Sequence, residues 1–316
     1  MSARIIMKLQ VSEVSQDASG VKIIRFVHPT RPALPAAPAG AHVDVHIPGG
    51  KIRQYSLCGD PRQTSHYTIA VKRSDTGRGG SRWLHEHAEP GLVLPVSAPR
   101  SNFPLAAEAS RHIFVAGGIG ITPFVSLAWQ ARAQGQDFLL HYCARRRTAA
   151  PLLDMLRGLC GTDGLATWFS GDPDGCRFDA RTLGQPAEDT HVYCCGPASL
   201  IAAVREATAH WPESQVHFEV FEATLDENFK PEPFDIRIAS TGATLRVPAD
   251  RSALDVLRQQ GHALPSSCEM GVCGACVCGY TDGTVLHRDA FLDASQRQEK
   301  MALCVSRARV GVTLDL

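Results

Sequence analysis

Net charge is the first thing this sequence lacks. Lys and Arg total 32 and Asp and Glu total 32, so no global field of either sign favours nucleic acid or an anionic lipid surface. Small molecules or a specific protein are the partners that remain. Long apolar runs are missing as well: nowhere do eighteen apolar residues follow one another, as a membrane-spanning helix requires. The opening MSARIIMKLQ has no apolar core followed by a small-residue cleavage site. The expectation is a soluble, cytoplasmic protein. What the chain does have is length and thiols. Its 316 residues suffice for two or three domains with their own cores. Its 11 cysteines, an odd number, belong in a reducing compartment to a metal site or to catalysis more often than to disulfides.

Four of the thiols crowd into LPSSCEMGVCGACVCGY, residues 264–280. Cys268, Cys273 and Cys276 follow the spacing C-x4-C-x2-C, and Cys304 lies 27 intervening residues further on. That is the plant-type ligand pattern of a [2Fe-2S] cluster, in which each tetrahedral iron takes two cysteine sulfurs beside the bridging sulfides. Gly271, Gly274 and Ala275 suit a loop that wraps closely and turns backbone N–H groups toward sulfur. A structural zinc site with four cysteines fits less well, because its ligands usually come as close pairs on both sides. Cys278 falls outside the spacing and reads as a spare thiol. Upstream, FDIRIASTGATLRV alternates in two short runs about a turn at Thr241 and Gly242, as a β-hairpin does. Ser252 or Asp250 can cap a helix with Leu254, Val256 and Leu257 on its apolar face, ending at Gly261. With the last strand, VGVTLDL, residues 234–316 resemble a plant-type ferredoxin of the β-grasp fold.

The middle of the chain alternates strands and helices. RHIFVAGGIGITPFVSLAWQARAQG reads as a buried strand over residues 113–116, a glycine turn and a helix from about Pro123. That order presents free N–H groups to a phosphate. The turn is not G-x-G-x-x-G, so the dinucleotide fingerprint itself is lacking. DFLLHYCARRR and LATWFS read as further strands, with a helix from about Pro151 between them, and HVYCCGPASLIAAVREA repeats strand, turn and helix. Such alternation implies a parallel sheet with ligands at the strand C-termini. GGIGITP with CCGP some eighty residues later is similar to the pyridine-nucleotide domain of the ferredoxin-NADP reductase family. The resemblance implies dinucleotide contacts at Gly117, Gly118, Gly120, Ile121 and Thr122, and nicotinamide contacts at Cys195, Gly196 and Pro197. Arg145, Arg146 and Arg147 could hold a 2′-phosphate or could be a solvated charge run. The relatives with this layout use NADH, with NADPH left open.

The first third, residues 3–104, carries short alternating runs between Gly and Pro turns, an all-β sandwich or barrel. Within it stands RQYSLCGDP. An Arg can pair with a phosphate, a Tyr ring can cover an isoalloxazine face, and a Ser hydroxyl can bond a ring edge. Arg53, Tyr55 and Ser56 match the flavin motif R-x-Y-S of the same family. By that resemblance Ala70, Val71 and Lys72 line the flavin, Gly79, Gly80 and Ser81 cradle its phosphate, and Phe221 stacks on its ring. Phe221 could equally be a core residue. A mononucleotide needs no more than this, so FMN is expected rather than FAD. Residues 223–233 read as a linker.

Taken in order, the three parts resemble the phthalate dioxygenase reductase and vanillate demethylase reductase group over essentially the whole chain. The implied architecture is an antiparallel β-barrel flavin domain (1–104), an α/β parallel-sheet nucleotide domain (105–225) and an α+β, β-grasp ferredoxin domain (226–316). The implied activity moves electrons from NADH through FMN and [2Fe-2S] to a Rieske-type terminal oxygenase acting on an aromatic acid. The chemistry closes on its own terms, since nicotinamide gives two electrons together, the cluster takes one, and flavin converts between them. A redox-sensing or scaffold module without an oxygenase partner is the alternative. Of the 13 histidines, His85, His87 and His287 have no partner spacing of a metal site. HRD at 287–289 matches the kinase catalytic-loop triplet without the rest of that signature.

Overall fold

The structure, a computed structural model, describes residues 5–49, 51–75, 79–221 and 229–316. Two compact units make up the chain, Met1–Glu219 and Val220–Leu316.

The first unit holds two sheets. Strands β1 (Ile6–Gln16), β2 (Lys22–Val27), β3 (Ala41–Ile47), β4 (Lys51–Ser56) and β5 (Tyr67–Val71) precede helix α1 (Gly80–His87). Strands β6 (Val93–Ser97) and β7 (Arg100–Ser101) follow it. They form an antiparallel sheet in the order β4-β3-β6-β1-β2-β5, with β7 on β3. Leu57, one residue past β4, bridges Ile69 of β5, so the sheet curls into a nearly closed barrel and leaves little free edge. Its interior is the alternate apolar set, among them Leu9, Ile24, Phe26, Val43, Val45, Ile69 and Val96. A period of two puts one residue of each pair inside. Asp44, between Val43 and Val45 and so on the other face of β3, is a buried charge as well. It accepts from Arg100 Nη2 at 2.9 Å and from Gln54 Nε2 at 3.2 Å, which compensates its loss of water.

The second sheet is all parallel. It comprises β8 (Arg111–Gly117), β9 (Asp137–Ala144), β10 (Leu165–Phe169), β11 (Thr190–Cys195) and β12 (Val216–Glu219), in the order β10-β9-β8-β11-β12. Helices α2 (Thr122–Gln134), α3 (Leu153–Cys160) and α4 (Ala198–Ala207) connect the strands. Strand order reverses between β8 and β11, so their carboxyl ends open the crevice where such sheets bind ligands. A short 3-10 turn over Gly118–Ile121 precedes α2, which has Pro at its first turn and Gly135 as a left-handed cap. The sequence places the helix start at Pro123; the structure starts it one residue earlier. Phe124, Val125, Leu127, Ala128 and Ala131 are all fully buried, because α2 is covered on more than one side. Its Ser126 Oγ accepts the N–H of Gly40, in the loop before β3, at 3.0 Å.

The unit beginning at Val220 has strands β13 (Phe234–Ile238), β14 (Thr244–Val247), β15 (Val277–Leu286), β16 (Lys300–Ala302) and β17 (Arg307–Leu314), with helix α5 (Ala253–Gln259). The order is β14-β13-β17-β15-β16, with β13 parallel to β17 and the other pairs antiparallel. This is the expected β-grasp. Ser252 is the cap of α5: its hydroxyl accepts the Asp255 N–H while the Asp255 side chain returns to the Ser252 backbone, a capping box. Leu254 and Leu257 then pack on Phe234, Ile236, Val247 and Leu314. Arg307 is buried and, among the described residues, forms no ion pair with a carboxylate. It donates to the carbonyls of Glu232, Pro248 and Arg251 at 2.8–3.1 Å, and its guanidinium lies 4.9 Å from the Phe234 ring centre.

Candidate functional site

Three constellations stand out, two in the first unit and one in the second. On the barrel, β4 carries Arg53, Tyr55 and Ser56, paired with Val45, Val43 and His42 of β3. Arg53 lies across the start of α1, so closely that a Cβ on Gly80 would come 2.6 Å from its Cγ. Gly79 precedes that helix with φ +81°, and the Ser81 hydroxyl accepts the Ser74 N–H at 3.1 Å. A guanidinium beside the open N–H groups of a helix start is a cradle for an anion. Ala70 and Val71 are buried at the end of β5, while Lys72 is exposed. Burial pushes the Tyr55 phenol above its ordinary range, with the Arg53 charge acting against it. His85 Nε2 sits 2.7 Å from the Val71 carbonyl and His87 stacks on Trp83, structural contacts that account for both histidines.

At the carboxyl ends of β8 and β11 two turns meet backbone to backbone. A Cβ on Gly120 would lie 2.5 Å from the Cys195 carbonyl oxygen, closer than side chains approach, so only glycine lets Gly117–Gly120 and Cys195–Gly196–Pro197 share this space. Ile121 and Thr122 are buried behind the turn, and the Thr122 hydroxyl donates to the Ile119 carbonyl at 3.1 Å. The Tyr142 hydroxyl, 2.8 Å from the Pro151 carbonyl and 3.3 Å from that of Gly118, fixes the turn from β9. Past β9 and β10, the Arg147 N–H donates to Asp172 at 3.1 Å and its guanidinium covers the Phe169 ring. Arg147 is thus tied to the turn after β10, although all three arginines of the run are exposed.

One residue of this crevice escapes motif reading. Glu219 ends β12 in register with Cys195, and its Oε2 has no hydrogen-bond partner among the described residues. Burial raises its carboxyl to about 8, so it is a neutral acid at pH 7. The Cys195 thiol is pushed far up by burial, then by Glu219, which makes it a contact surface rather than a nucleophile. The signal available in the sequence was an acid interrupting an apolar strand end. Phe221, half-buried, belongs to the unit that begins at Val220.

In the second unit the predicted thiols gather in pairs. Cys268 N–H points at Cys273 Sγ at 3.5 Å and Met270 N–H at Cys268 Sγ at 3.3 Å. Cys276 and Cys304 hydrogen-bond through their thiols. Within each pair one sulfur takes the charge: Cys268 is lowered to about 6, first by the Cys273 thiol and then, after the opposing effect of burial, by backbone N–H groups. Cys276 is lowered first by Cys304. Gly271, at φ +74°, leaves only 2.6 Å between a Cβ and the Val305 side chain, so the loop closes there by necessity. Among the described residues no group of three or more His, Cys, Asp or Glu closes on a single ion. Two thiol pairs ringed by N–H donors fit a binuclear iron centre, one pair to each iron, better than one zinc. Cys278 stands apart in β15, its thiol donating to the Gly279 carbonyl at 3.4 Å.

A flavin-type barrel, a parallel nucleotide-type sheet and a β-grasp unit with two thiol pairs on one chain define a modular electron-transfer oxidoreductase. Residues 236–309 match the 2Fe-2S iron-sulfur cluster binding domain. The chain is 40% identical over 314 residues to the phthalate 4,5-dioxygenase oxygenase reductase subunit of Pseudomonas putida, covering 98% of this chain and 96% of that one. It is 38% identical over 317 residues to the vanillate O-demethylase oxidoreductase of Pseudomonas sp. (strain HR199 / DSM 7063), covering 98% and 100%. A solved structure of phthalate dioxygenase reductase, described as modular for electron transfer from pyridine nucleotides to [2Fe-2S], superposes with a TM-score of 0.79 at 37% identity over 98% of both chains. The chain belongs to the phthalate dioxygenase reductase and vanillate O-demethylase reductase group of the ferredoxin-NADP reductase family. No helix of the described residues is long and apolar enough to cross a membrane.

Proposed function

We propose that this protein is the cytoplasmic, NADH-dependent reductase of an oxygenase system, with FMN on the barrel and a [2Fe-2S] cluster in the second unit, delivering electrons to a Rieske-type terminal oxygenase. The residue divisions 1–104, 105–225 and 226–316 are its flavin, nucleotide and ferredoxin domains. The observation that carries the proposal is the pairing of Cys268 with Cys273 and Cys276 with Cys304 on a chain that also has the glycine-lined crevice. Bound flavin supplies the exchange between two-electron hydride chemistry and one-electron transfer; the protein supplies position and charge.

Arg53 and the N–H groups at Gly79, Gly80 and Ser81 hold the flavin phosphate, and a mononucleotide carries one. Tyr55 presents its ring and Ser56 its hydroxyl to the isoalloxazine, against the wall of Ala70, Val71 and Lys72. Gly117, Gly118, Gly120, Ile121 and Thr122 receive the dinucleotide phosphates, and Cys195, Gly196 and Pro197 border the nicotinamide. Glu219, kept as an uncharged acid by burial, borders the same crevice in register with Cys195. The Asp172 carboxylate beside the arginine run favours NADH, since an acid there repels a 2′-phosphate.

Relatives at 40% and 38% identity are named for phthalate and for vanillate, so the reductase sequence does not select the aromatic substrate. The test is composition and turnover. Purified protein should be red-brown, release FMN rather than FAD, contain about two irons per chain, and reduce cytochrome c with NADH. A colourless protein with one zinc overturns the proposal. A coloured protein that NADH bleaches but that turns over no oxygenase favours the redox-sensing alternative.

A further inference from the structure

Among the described residues only two that are not glycine hold a positive φ, and one of them, Leu152, stands in the connection from β9 to α3. Its φ of 58° and ψ of 17° are left-handed, a conformation that costs a residue with a side chain and persists only where the surroundings enforce it. What enforces it comes from the other sheet of the same unit. Asp17, in the turn from β1 to β2 of the barrel, accepts the Leu152 N–H on Oδ2 at 2.8 Å. The Leu152 side chain is buried, and its carbonyl accepts the Leu156 N–H at 3.0 Å in the first turn of α3.

The two oxygens of Asp17 have separate tasks. Oδ1 is taken up inside its own turn, by the Ser19 N–H at 2.9 Å, the Ser19 hydroxyl at 2.6 Å and the Val21 N–H at 3.0 Å. The Asp17 N–H closes the same turn on the Val21 carbonyl at 3.0 Å. Oδ2 therefore reaches the nucleotide sheet from a barrel turn that is itself fixed. One residue before Leu152, the Pro151 carbonyl accepts the Tyr142 hydroxyl at 2.8 Å, and that hydroxyl lies 3.3 Å from the carbonyl of Gly118, where the 3-10 turn of the crevice begins. Burial and then the Asp17 charge push the Tyr142 phenol up, so the hydroxyl keeps the hydrogen it donates.

We infer that Asp17 is a positioning residue for hydride transfer, holding the Gly118 turn in place relative to the barrel through Leu152, Pro151 and Tyr142. The inference rests on the reading that flavin sits on the barrel and the dinucleotide in the crevice. Hydride moves only when donor and acceptor are nearly in contact, and here the two are carried by different sheets. What pins one sheet to the other sets their separation. Asp17 lies outside both proposed ligand sites: its hydrogen bonds go to Ser19, Val21 and Leu152. An amide cannot replace its carboxylate, because in Asp17→Asn an NH2 group would face either the Leu152 N–H or the donors of the barrel turn.

The test is stopped-flow bleaching of the flavin by NADH in the holoprotein, with limiting rate and half-saturating NADH concentration read separately. Asp17→Asn should lower the limiting rate by roughly 10- to 100-fold and leave half-saturation and the flavin midpoint potential at their wild-type values. Tyr142→Phe should also lower the limiting rate. The double variant should be no slower than the slower single one, since both substitutions cut one path. A wild-type limiting rate in Asp17→Asn, or effects of the two substitutions that multiply, overturns the inference. So does a loss confined to half-saturation or to Tm, which a merely structural bond would give. Should Asp17→Asn fail to fold, a wild-type limiting rate in Tyr142→Phe overturns it alone. A wild-type protein whose flavin NADH does not bleach overturns the reductase reading as well.

Discussion

Replacing Gly120 by Ala tests the crevice with one methyl group. The added Cβ would stand 2.5 Å from the Cys195 oxygen, 2.7 Å from its carbonyl carbon and 2.9 Å from the Gly196 Cα. All three are backbone atoms of β11 and the turn after it, and β11 is hydrogen-bonded on both sides. Nothing flexible is available to yield, so with ordinary contact beginning at 3.4 Å the two turns must separate by about 0.9 Å. Overpacking of this kind costs about 1–3 kcal/mol, and in a unit of this size each kcal/mol lowers Tm by roughly 2–4 °C. Separation moves the Gly117–Gly120 turn against the Cys195–Pro197 turn, the two proposed to receive the dinucleotide and the nicotinamide, and a misplacement near 1 Å can slow a positioned reaction by up to ~100-fold. Stopped-flow bleaching of flavin absorbance by NADH reads the second effect, and a thermal melt reads the first. Gly158→Ala is the control: Gly158 lies inside α3 with open space around the Cβ position, so this variant should gain up to about 1 kcal/mol and keep its hydride transfer. A Gly120→Ala protein that melts and bleaches like wild type would refute the close-approach argument.

Two further outcomes follow from buried charges. Glu219 has its carboxyl raised to about 8 by burial, so between its unfolded value near 4.5 and pH 8 the folded state holds a proton that the unfolded state has released. The native state binds more protons, and stability must fall as pH rises through that window. The component amounts to a few kcal/mol, at about 1.4 kcal/mol for each pKa unit. Glu219→Gln should flatten the decline in Tm between pH 5 and 8 that wild type shows; an unchanged profile contradicts the assignment of a neutral acid. Arg307→Met should lower the melting of the second unit by about 3 kcal/mol or more, because the carbonyls of Glu232, Pro248 and Arg251 lose charged donors. A urea titration followed by cluster absorbance measures it.

Much of the fold was legible because its signals are local. The hairpin of β13 and β14, the Ser252 cap and the strand-turn-helix at Gly117 each declare themselves within a dozen residues. The thiol pairs were legible for a different reason: spacing singles out Cys268, Cys273, Cys276 and Cys304, which the structure brings together two by two, and leaves Cys278 apart. What sequence could not show was partnership between distant segments. Arg53 meets Gly80 only because α1 folds back over β4, and Glu219 meets Cys195 only through parallel register across β11 and β12. The 3-10 turn that takes up the glycines before α2 was not legible, although the helix begins, at Thr122, about where its proline placed it.

The central claim is that electrons from NADH leave this chain through the thiol-held cluster. Cys304→Ala separates entry from exit, since Cys304 belongs to the second unit and has no part in the barrel or the nucleotide crevice. In one stopped-flow experiment with NADH and cytochrome c, the account predicts flavin bleaching near the wild-type rate and collapse of cytochrome c reduction. Cytochrome c reduced by Cys304→Ala as fast as by wild type would contradict it.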